Sequence, residues 1–228
     1  MNIAIVLSGG TGTRLGTEIP KQYIEVKGKS IISYCLNVLE NCEKINAIQI
    51  VAEESWHNTI LQSKMTKFKG FSVPGKNRQL SIFSALNDIK EYAKEDDIVI
   101  IHDAARPCVS EEIFDKLINA IKGHGGVLPV LPMKDTVYVS EDSKSITSLF
   151  NRSHIFAGQA PEAFCFGEYY EANKKLLPND ILKINGSTEP AIMAAMNIVM
   201  IPGDEKNFKI TTIQDLERFR QLVEGKRF

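Results

Sequence analysis

The chain has 228 residues, 43% of them hydrophobic and 24% charged, with 27 Lys and Arg against 28 Asp and Glu and a net charge of −1. The balanced charge argues against a dedicated nucleic-acid binder, which usually has a basic excess. The apolar content argues against an intrinsically disordered chain. No apolar run approaches the about 18 residues that a membrane span needs, and the N-terminal residues lack the basic start of a signal peptide.

Four cysteines are spread along the chain, with no Cys-x-x-Cys pair and no metal-ligand spacing: Cys35, Cys42, Cys108 and Cys165. This usage predicts a reduced, cytoplasmic protein rather than a disulfide-stabilised one. At about 150 residues per domain, the length predicts one large domain with at most an appendage.

Four short apolar runs predict strands that are buried on both faces of a parallel sheet. They lie at residues 2–8, 47–52, 97–101 and 126–131. Apolar residues with helical spacing predict helices at residues 31–42, 78–93, 110–122 and from 212 onwards. This alternation predicts an α/β fold: a single Rossmann-like domain over residues 1–228, with a mostly parallel twisted sheet flanked by helices.

Two of the predicted helices have clear start signals. Ser110 is the expected N-cap of the third, with Glu111 and Glu112 in the first turn. Thr212 and Asp215 have the spacing of a capping box at the start of the last helix.

The segment at residues 134–156 interrupts the alternation because it is polar and lacks a core of its own. It predicts a β-hairpin arm that projects from the domain. Such an arm is either an oligomerisation element or a plain surface loop, and the pattern of residues leaves both interpretations open.

In sheets of this kind, ligands bind beyond the carboxyl ends of the strands, and the first predicted strand is followed by the glycine-rich segment LSGGTGTRLGTEIPK at residues 7–21. Its glycines allow backbone amides to approach an anion. Neither a dinucleotide fingerprint nor a P-loop fits, because Leu15 and Tyr23 stand where each pattern requires glycine. Arg14 and Lys21 can then clamp a polyphosphate; the alternative is a tight turn with two solvated basic residues.

The segment IHDAARP at residues 101–107 follows the most apolar predicted strand. Asp103 can hold Mg²⁺, which prefers one or two carboxylates together with substrate phosphates. Arg106 can bind a phosphate or carboxylate through two hydrogen bonds. The alternative is a structural Asp–Arg pair that closes the loop, and His102 is expected to be structural.

Two further segments have no specific meaning alone. GDEKNFKITT at residues 203–212 contains Asn207 and Lys209 and reads as a solvated charge cluster. VPGKNRQLS at residues 73–81 reads as a turn before a helix.

Taken together in chain order, these segments resemble the IspD/TarI family of cytidylyltransferases. The matching motifs are GGTGTRLGTEIPKQY, PGKNRQLS, HDAARP, KDT, NR followed by GQAPEAF, and NFKITT. The resemblance covers nearly the whole chain, and the combination of motifs is specific although no single motif is. It implies a Rossmann-like domain whose arm interlocks two subunits of a homodimer.

The resemblance implies attack by a polyol phosphate oxygen on the α-phosphorus of CTP, with release of pyrophosphate and with Mg²⁺ as the cofactor. 2-C-methyl-D-erythritol 4-phosphate is the favoured acceptor, which implies isoprenoid biosynthesis, and D-ribitol 5-phosphate is the alternative. HDAARP favours the first acceptor, whereas the Gly158-Gln159 pair favours the second. Such a transfer needs mainly alignment and charge neutralisation, so the lack of a Cys or His nucleophile is expected.

Residue roles follow from positions in the family motifs. The implied catalytic residues are Arg14, Lys21, Arg152 and Lys209, with Arg152 on the arm and reaching the partner subunit's site. Asp103 is the implied metal ligand. The residues implied to bind substrate are Ser8, Gly9, Gly10, Gly75, Arg78, Ser81 and Ala104 on the nucleotide side, and Arg106, Thr136 and Ser187 on the acceptor side.

The sequence departs from the family pattern at two places on the acceptor side. Residues 159–162 read QAPE where members usually have QTPQ, so a hydroxyl is lost at Ala160 and a carboxylate appears at Glu162. Residues 187–189 read STE where members have TDD, TDE or SDA, so an aspartate is lost at Thr188. CTP and the reaction type are therefore indicated more firmly than the acceptor.

Two functions from other classes fit the sequence less well than the transferase. A non-catalytic nucleotide sensor would not need the transition-state cations Arg14, Lys21 and Lys209. A nicotinamide-dependent reductase is argued against by Leu15 and by the absence of a clear acidic ligand for a ribose.

Overall fold

The computed structural model of the chain describes residues 1–10 and 19–225. The strands in these ranges are β1 (Asn2–Leu7), β2 (Glu25–Val26), β3 (Lys29–Ser30), β4 (Ala47–Val51), β5 (Phe68–Ser72), β6 (Ile98–Asp103), β7 (Gly126–Pro132), β8 (Tyr138–Val139), β9 (Ser148–Leu149), β10 (Phe156–Gly158), β11 (Glu162–Cys165) and β12 (Ile198–Pro202). The α-helices are α1 (Ile31–Asn41), α2 (His57–Leu61), α3 (Arg78–Ile89), α4 (Glu111–Ala120), α5 (Phe166–Lys174), α6 (Glu189–Met193) and α7 (Ile213–Val223).

Eight of the strands form one central, mostly parallel sheet. β1 pairs in parallel with both β4 and β6, and β4 pairs in parallel with β5. β11 runs antiparallel between β6 and β7. β7 also pairs with β10, which is antiparallel to it, and with β12, which is parallel to it. The predicted α/β class and its mostly parallel sheet are confirmed.

The two faces of the sheet belong to two separate cores, as the period-2 alternation of strand side chains requires. On one face, Ala4 and Val6 of β1 pack with apolar side chains of α1 and α4. On the other face, Ile3 and Ile5 pack with apolar side chains of α3 and α5. Helices therefore cover the sheet on both sides, and the carboxyl ends of the parallel strands stay accessible at one edge.

The predicted helix starts are confirmed with one difference. Thr212 and Asp215 form the complete capping box of α7. Ser110 is the N-cap of α4, but its side chain makes no capping hydrogen bond, so the first turn of α4 is favoured only by Glu111 and Glu112 near its N-terminus. Within residues 1–10 and 19–225, no helix has the length and apolar content that a membrane span requires.

Within residues 134–156, β8 and β9 form a two-stranded antiparallel hairpin outside the central sheet. The prediction of a hairpin is therefore confirmed in its strand pairing, while β10 already belongs to the edge of the main sheet. That the hairpin protrudes as an arm and joins two subunits stays a prediction.

Candidate active site

The glycine-rich segment and the HDAARP segment meet at the carboxyl edge of the sheet. Leu7, the last residue of β1, is paired with Asp103, the last residue of β6. The backbone amide of Ala104 donates to the carbonyl of Leu7 at 3.1 Å, and that of Ser8 donates to the carbonyl of Val51 on β4 at 2.8 Å. The two segments that the sequence singled out are therefore neighbours at one site.

The start of the glycine-rich segment is held by the turn Lys21–Tyr23. The buried amide of Gln22 donates to the carbonyls of Ser8 at 2.7 Å and Gly10 at 2.8 Å. The Tyr23 hydroxyl donates to the Ser8 carbonyl at 3.0 Å and accepts from the Ser8 hydroxyl at 2.8 Å. With these carbonyls occupied by side chains from one side, the position of the Ser8–Gly10 backbone is fixed.

Gly9 is required because the ring of Pro74, in a second segment, comes close to it. A Cβ at Gly9 would lie 2.6 Å from side-chain carbons of Pro74, just before Gly75. Arg14 lies in residues 11–18, outside the described residues, whereas Lys21 is the first residue of the turn that holds Ser8 and Gly10.

The residues predicted from VPGKNRQLS form the start of α3. Asn77 caps the helix by accepting from the Leu80 amide at 2.8 Å. The Gly75 amide donates to the Ser81 hydroxyl at 3.0 Å, and a Cβ at Gly75 would lie 2.4 Å from the Cβ of Leu80. This compact turn orients Arg78 towards the end of β6.

Asp103 is buried and is surrounded by three cations from three different segments. Its Oδ1 is 3.1 Å from Nη2 of Arg78, and its Oδ2 is 3.0 Å from Nζ of Lys209 and 3.6 Å from Nε of Arg106. The Asp–Arg pair that the sequence left as a structural alternative is present, but it is one of three ion pairs. Three cations against one carboxylate leave an excess of positive charge, which suits an anionic ligand.

The charges at this cluster shift the pKa values of its members. Burial alone would raise the pKa of Asp103, but Arg78, Lys209 and Arg106 hold it well below its usual range. Burial opposes the charge of Arg78, yet the carboxylates of Asp103 and Glu162 raise its pKa. Burial lowers the pKa of Arg106 despite its contact with Asp103. The cations around Asp103 therefore favour its ionised form.

The loop at residues 203–209 is joined to the segment that precedes β11. The side chain of Gln159 pairs with the backbone of Asp204, donating to its carbonyl and accepting from its amide, both at 3.0 Å. Asn207 donates from its side chain to the carbonyl of Ala160 at 2.8 Å, and its own carbonyl accepts from Arg106 at 2.6 Å. These bonds determine where Lys209 meets Asp103.

Glu162 is a buried acidic residue that the sequence marked only as a departure from a pattern. Its carboxylate accepts hydrogen bonds from the hydroxyl of Ser187 at 2.6 and 2.7 Å and from that of Thr188 at 2.7 Å. The Ser187 carbonyl in turn accepts from the buried hydroxyl of Tyr169 at 2.6 Å. Burial raises the pKa of the Glu162 carboxyl, which the charge of Arg78 opposes.

Two residues predicted for the acceptor side do not join the cluster within this chain. Thr136 and Arg152 are exposed, and Arg152 donates to the carbonyl of Lys134 at 3.0 Å. In the described part of the chain neither forms a hydrogen bond or ion pair with Asp103, Arg106 or Lys209. Within this chain Arg152 is therefore not in contact with the cluster around Asp103.

His102 is packed, as expected for a structural residue. Its ring lies edge-to-face against Phe114 on the face of the sheet opposite to Asp103, and burial lowers its pKa to about 4. Its ring nitrogens have no hydrogen-bond partner within the described residues. It is therefore neutral and no part of the charged cluster.

The donor set of the cluster fits a divalent cation only in part. Within the described residues no group of three or more His, Cys, Asp or Glu side chains could hold a metal ion. Asp103 supplies the carboxylate oxygens that the cluster's cations contact, and both of its oxygens already face cations. These residues fit Mg²⁺ only when phosphate oxygens of a substrate supply the other ligands.

Comparison with known proteins identifies the family of the chain. The family model described as IspD, 2-C-methyl-D-erythritol 4-phosphate cytidylyltransferase, matches residues 2–224. The chain belongs to the IspD family. Members of this family are cytidylyltransferases, so the chain is a nucleotidyltransferase.

Named relatives of this IspD-family chain differ in their acceptor. A ribitol-5-phosphate cytidylyltransferase of Streptococcus agalactiae serotype III (strain NEM316) is 30% identical, over 99% of this chain and 97% of that protein. A 2-C-methyl-D-erythritol 4-phosphate cytidylyltransferase of Clostridium botulinum (strain Eklund 17B / Type B) is 33% identical, over 93% of this chain and 95% of the relative. The crystal structure of the Francisella tularensis 2-C-methyl-D-erythritol 4-phosphate cytidylyltransferase superimposes with a TM-score of 0.82 at 26% identity, covering 96% of this chain and 97% of that one.

Proposed function

We propose that this nucleotidyltransferase transfers CMP from CTP to a polyol phosphate, with 2-C-methyl-D-erythritol 4-phosphate as the acceptor. A phosphate oxygen of the acceptor forms a bond to the α-phosphorus of CTP, and the bond from that phosphorus to the β-phosphate oxygen breaks, so that pyrophosphate leaves. The observation that supports this function best is the cluster of Arg78, Arg106 and Lys209 around Asp103, beside the glycine-rich segment.

In this proposal the chain's residues bind and neutralise charge. Lys21 and Arg14 face the triphosphate and stabilise the charge that grows in the transition state, and Lys209 binds phosphate oxygens. Ser8, Gly9, Gly10, Gly75, Arg78, Ser81 and Ala104 line the nucleotide, and Arg106, Thr136 and Ser187 face the acceptor.

D-ribitol 5-phosphate is the second candidate acceptor. It is supported by the relatives named ribitol-5-phosphate cytidylyltransferase, which match 99% of this chain, while the methylerythritol relatives match up to 95%. The family model and the similar solved structures support the first candidate.

Mg²⁺ is the proposed cofactor, held by Asp103 together with phosphate oxygens of CTP. When bound, it would neutralise phosphate charge and orient the triphosphate. Arg78 and Lys209 would then exchange part of their contact with Asp103 for contact with phosphates.

A homodimer is proposed in which the hairpin of one subunit contacts the other and Arg152 reaches the site of the partner. Large apolar side chains on this segment are exposed, including Tyr138 (56%), Ile146 (67%) and Leu149 (63%), as expected of an interface. Mixing Arg152→Ala chains with Arg14→Ala chains should then restore partial activity, because one of the two mixed sites has both intact residues. No recovery after demonstrated subunit exchange would assign Arg152 to its own subunit.

The deciding experiment is a pyrophosphate-release assay with each of the four NTPs and both polyol phosphates. We expect release with CTP and one of the two acceptors. Release with another nucleotide would contradict the CTP assignment, and release with D-ribitol 5-phosphate alone would select the second acceptor. Nucleotide binding without release on any acceptor would mean a non-catalytic relative. Cytoplasmic location is a separate proposal, tested by fractionation of the cells that make the protein.

A further inference from the structure

Glu162 is held by groups that leave its charge only partly satisfied. The carboxylate is buried, and the hydroxyls of Ser187 and Thr188 are its hydrogen-bond partners among the described residues. Two hydroxyls can donate two protons at once, whereas an ionised carboxylate offers about four acceptor positions. The carboxylate therefore has unused acceptor positions for a further hydrogen-bond donor.

A neutral side chain would meet the needs of Ser187 and Thr188 at lower cost. In the described part of the chain no Lys or Arg forms an ion pair with Glu162. Burying an ionised carboxylate without a paired charge costs roughly several kcal/mol, even after the surrounding protein has relaxed. An arrangement that costs free energy in the absence of a ligand is typical of a functional site.

The position of Glu162 places it beside the charged cluster. It is paired with Ile101 on β6, two residues before Asp103. Directly opposed residues share a face of the sheet, and so do residues two apart in one strand, so Glu162 and Asp103 lie on the same face. Both carboxylates act on Arg78, whose pKa they raise.

A second buried acceptor atom lies on the loop at residues 203–209, which contacts the segment just before Glu162. Asn207 donates to the carbonyl of Ala160, two residues before Glu162. Its Oδ1 is buried and has no hydrogen-bond partner within the described residues. Two groups with unused acceptor capacity, the Glu162 carboxylate and Asn207 Oδ1, thus lie on or against residues 160–162. Ligand hydroxyl groups are donors and would satisfy both.

We propose that the carboxylate of Glu162, oriented by Ser187 and Thr188, binds a hydroxyl group of the polyol acceptor and determines which polyol phosphate is used. This inference rests on the proposed transfer to a polyol phosphate. A hydroxyl that approaches Glu162 completes its hydrogen bonds, whereas an acceptor that lacks this hydroxyl leaves a buried carboxylate unsatisfied. A site of this kind rejects the deoxy analogue strongly.

The test compares the wild-type protein with Glu162→Gln, which keeps the shape of the side chain and removes its charge. Each is assayed with CTP and the better polyol phosphate, and then with analogues of that acceptor that each lack one hydroxyl. For one analogue we expect kcat/KM of the wild type to fall by about 10-fold or more, since a hydrogen bond to a charged group is at stake. In Glu162→Gln, the ratio of kcat/KM for the full acceptor to kcat/KM for that analogue should fall towards one. KM for CTP should stay within about twofold of the wild type, because only hydroxyl binding is altered.

Asp97→Asn is the matched control. Asp97 is also a buried carboxylate with hydrogen-bond donors, but it binds the N-terminal amine and the Lys94 amide at the opposite end of β6. Asp97→Asn should lower the midpoint of thermal unfolding and leave the ratio of kcat/KM between the acceptor and each of its analogues unchanged. If Glu162→Gln does not fold, Glu162→Asp is measured instead, since it keeps the charge but withdraws it by one methylene.

The outcomes separate the two proposals. If the wild type transfers CMP to a polyol phosphate and the variant has the same ratio for every analogue, Glu162 is structural and this inference is wrong while the proposed function stands. If the wild type uses no polyol phosphate, both are wrong. A ratio that collapses in the variant but not in Asp97→Asn supports the assignment.

Discussion

Glu162 and Thr188 are joined by a hydrogen bond of 2.7 Å, although they are 26 residues apart in the sequence. Both positions depart from the family pattern, one by gaining a carboxylate and the other by lacking one. Their contact couples the two positions physically, since β11 supplies the carboxylate and the segment before α6 supplies a hydroxyl.

Thr188→Asp should therefore be destabilising unless Glu162 is changed with it. Two buried carboxylates in contact cannot both ionise without cost, and we expect a loss of roughly 2–3 kcal/mol in the free energy of unfolding, as for a buried group left unsatisfied. Glu162→Gln combined with Thr188→Asp should recover most of it. Urea unfolding of the single and double variants measures the coupling, and simple additivity would contradict it.

Lys21→Ala and Arg14→Ala should lower kcat far more than they raise KM for CTP. Both cations are proposed to face charge that grows in the transition state, and removing one such contact typically costs about 10²–10³ in rate. Steady-state kinetics with varied CTP measures both constants. A near-normal kcat with a raised KM would assign these residues to ground-state binding.

Mg²⁺ should bind this protein only together with CTP. Asp103 already faces Arg78, Arg106 and Lys209, so a further cation at the free cluster would be repelled. Calorimetric titration with Mg²⁺ should give no heat for the protein alone and clear binding once CTP is present. Activity should be lost in EDTA and largely lost in Asp103→Asn; full activity in EDTA would overturn the metal assignment.

Gln22→Leu should weaken CTP binding although the Gln22 side chain is not proposed to contact the nucleotide. Gln22 holds the carbonyls of Ser8 and Gly10, so its loss frees the backbone that is proposed to meet the triphosphate. We expect KM for CTP to rise by about tenfold, the equivalent of about 1.4 kcal/mol. Gln49→Leu is the control: Gln49 is also buried, and its amide donates to Ser72 at 2.9 Å. An equal rise in KM in both variants would point to general loosening.

Asp215→Ala should destabilise the protein at neutral pH, and by progressively less as the pH falls below about 4. Partial burial opposes the charge of Asp215, but hydrogen bonds from Thr211 and Thr212 lower its pKa to about 2. Because the unfolded carboxyl titrates near pH 3.9, its stabilisation is present above about pH 4 and disappears as the pH falls towards 2. Loss of the hydrogen bonds that the Asp215 carboxylate accepts should cost about 1 kcal/mol at pH 7, while Thr212 still caps the backbone amide of residue 215.

Urea unfolding at pH 7 and pH 3 checks this pH dependence. Glu217→Ala on the exposed side of the same helix should change little, because its ion pair with Arg220 is at the surface. A cost for Asp215→Ala that is as large at pH 3 as at pH 7 would show that the carboxylate charge is not responsible.

Local signals in the sequence were sufficient for much of the fold. Apolar runs in the sequence located β1, β4, β6 and β7, because a strand that is buried on both faces is apolar at nearly every position. The antiparallel insertion of β11 between β6 and β7 was not predicted, since strand order depends on long-range pairing. β5 was missed because FKGFS is only partly apolar and contains a glycine.

The candidate site likewise has features that the sequence predicts and features that only the fold shows. Motif positions identified Asp103, Arg78 and Lys209 separately, and only the fold shows that they are ion partners. The hydrogen bonds of Gln22 to the glycine-rich segment were missed, although Gln22 follows Lys21 directly. A buried glutamine has no local pattern that distinguishes it from an exposed one.

Asp103 receives its cations from positions 78, 106 and 209, so its surroundings depend on how much of the chain exists. During synthesis, a ribosome-bound chain that has passed residue 106 already has the carboxylate and both arginines. It lacks Lys209, and it also lacks the Asn207 carbonyl that receives the Arg106 guanidinium. Any fragment that ends before this loop, however well its first half folds, is therefore expected to have an incomplete charged cluster around Asp103.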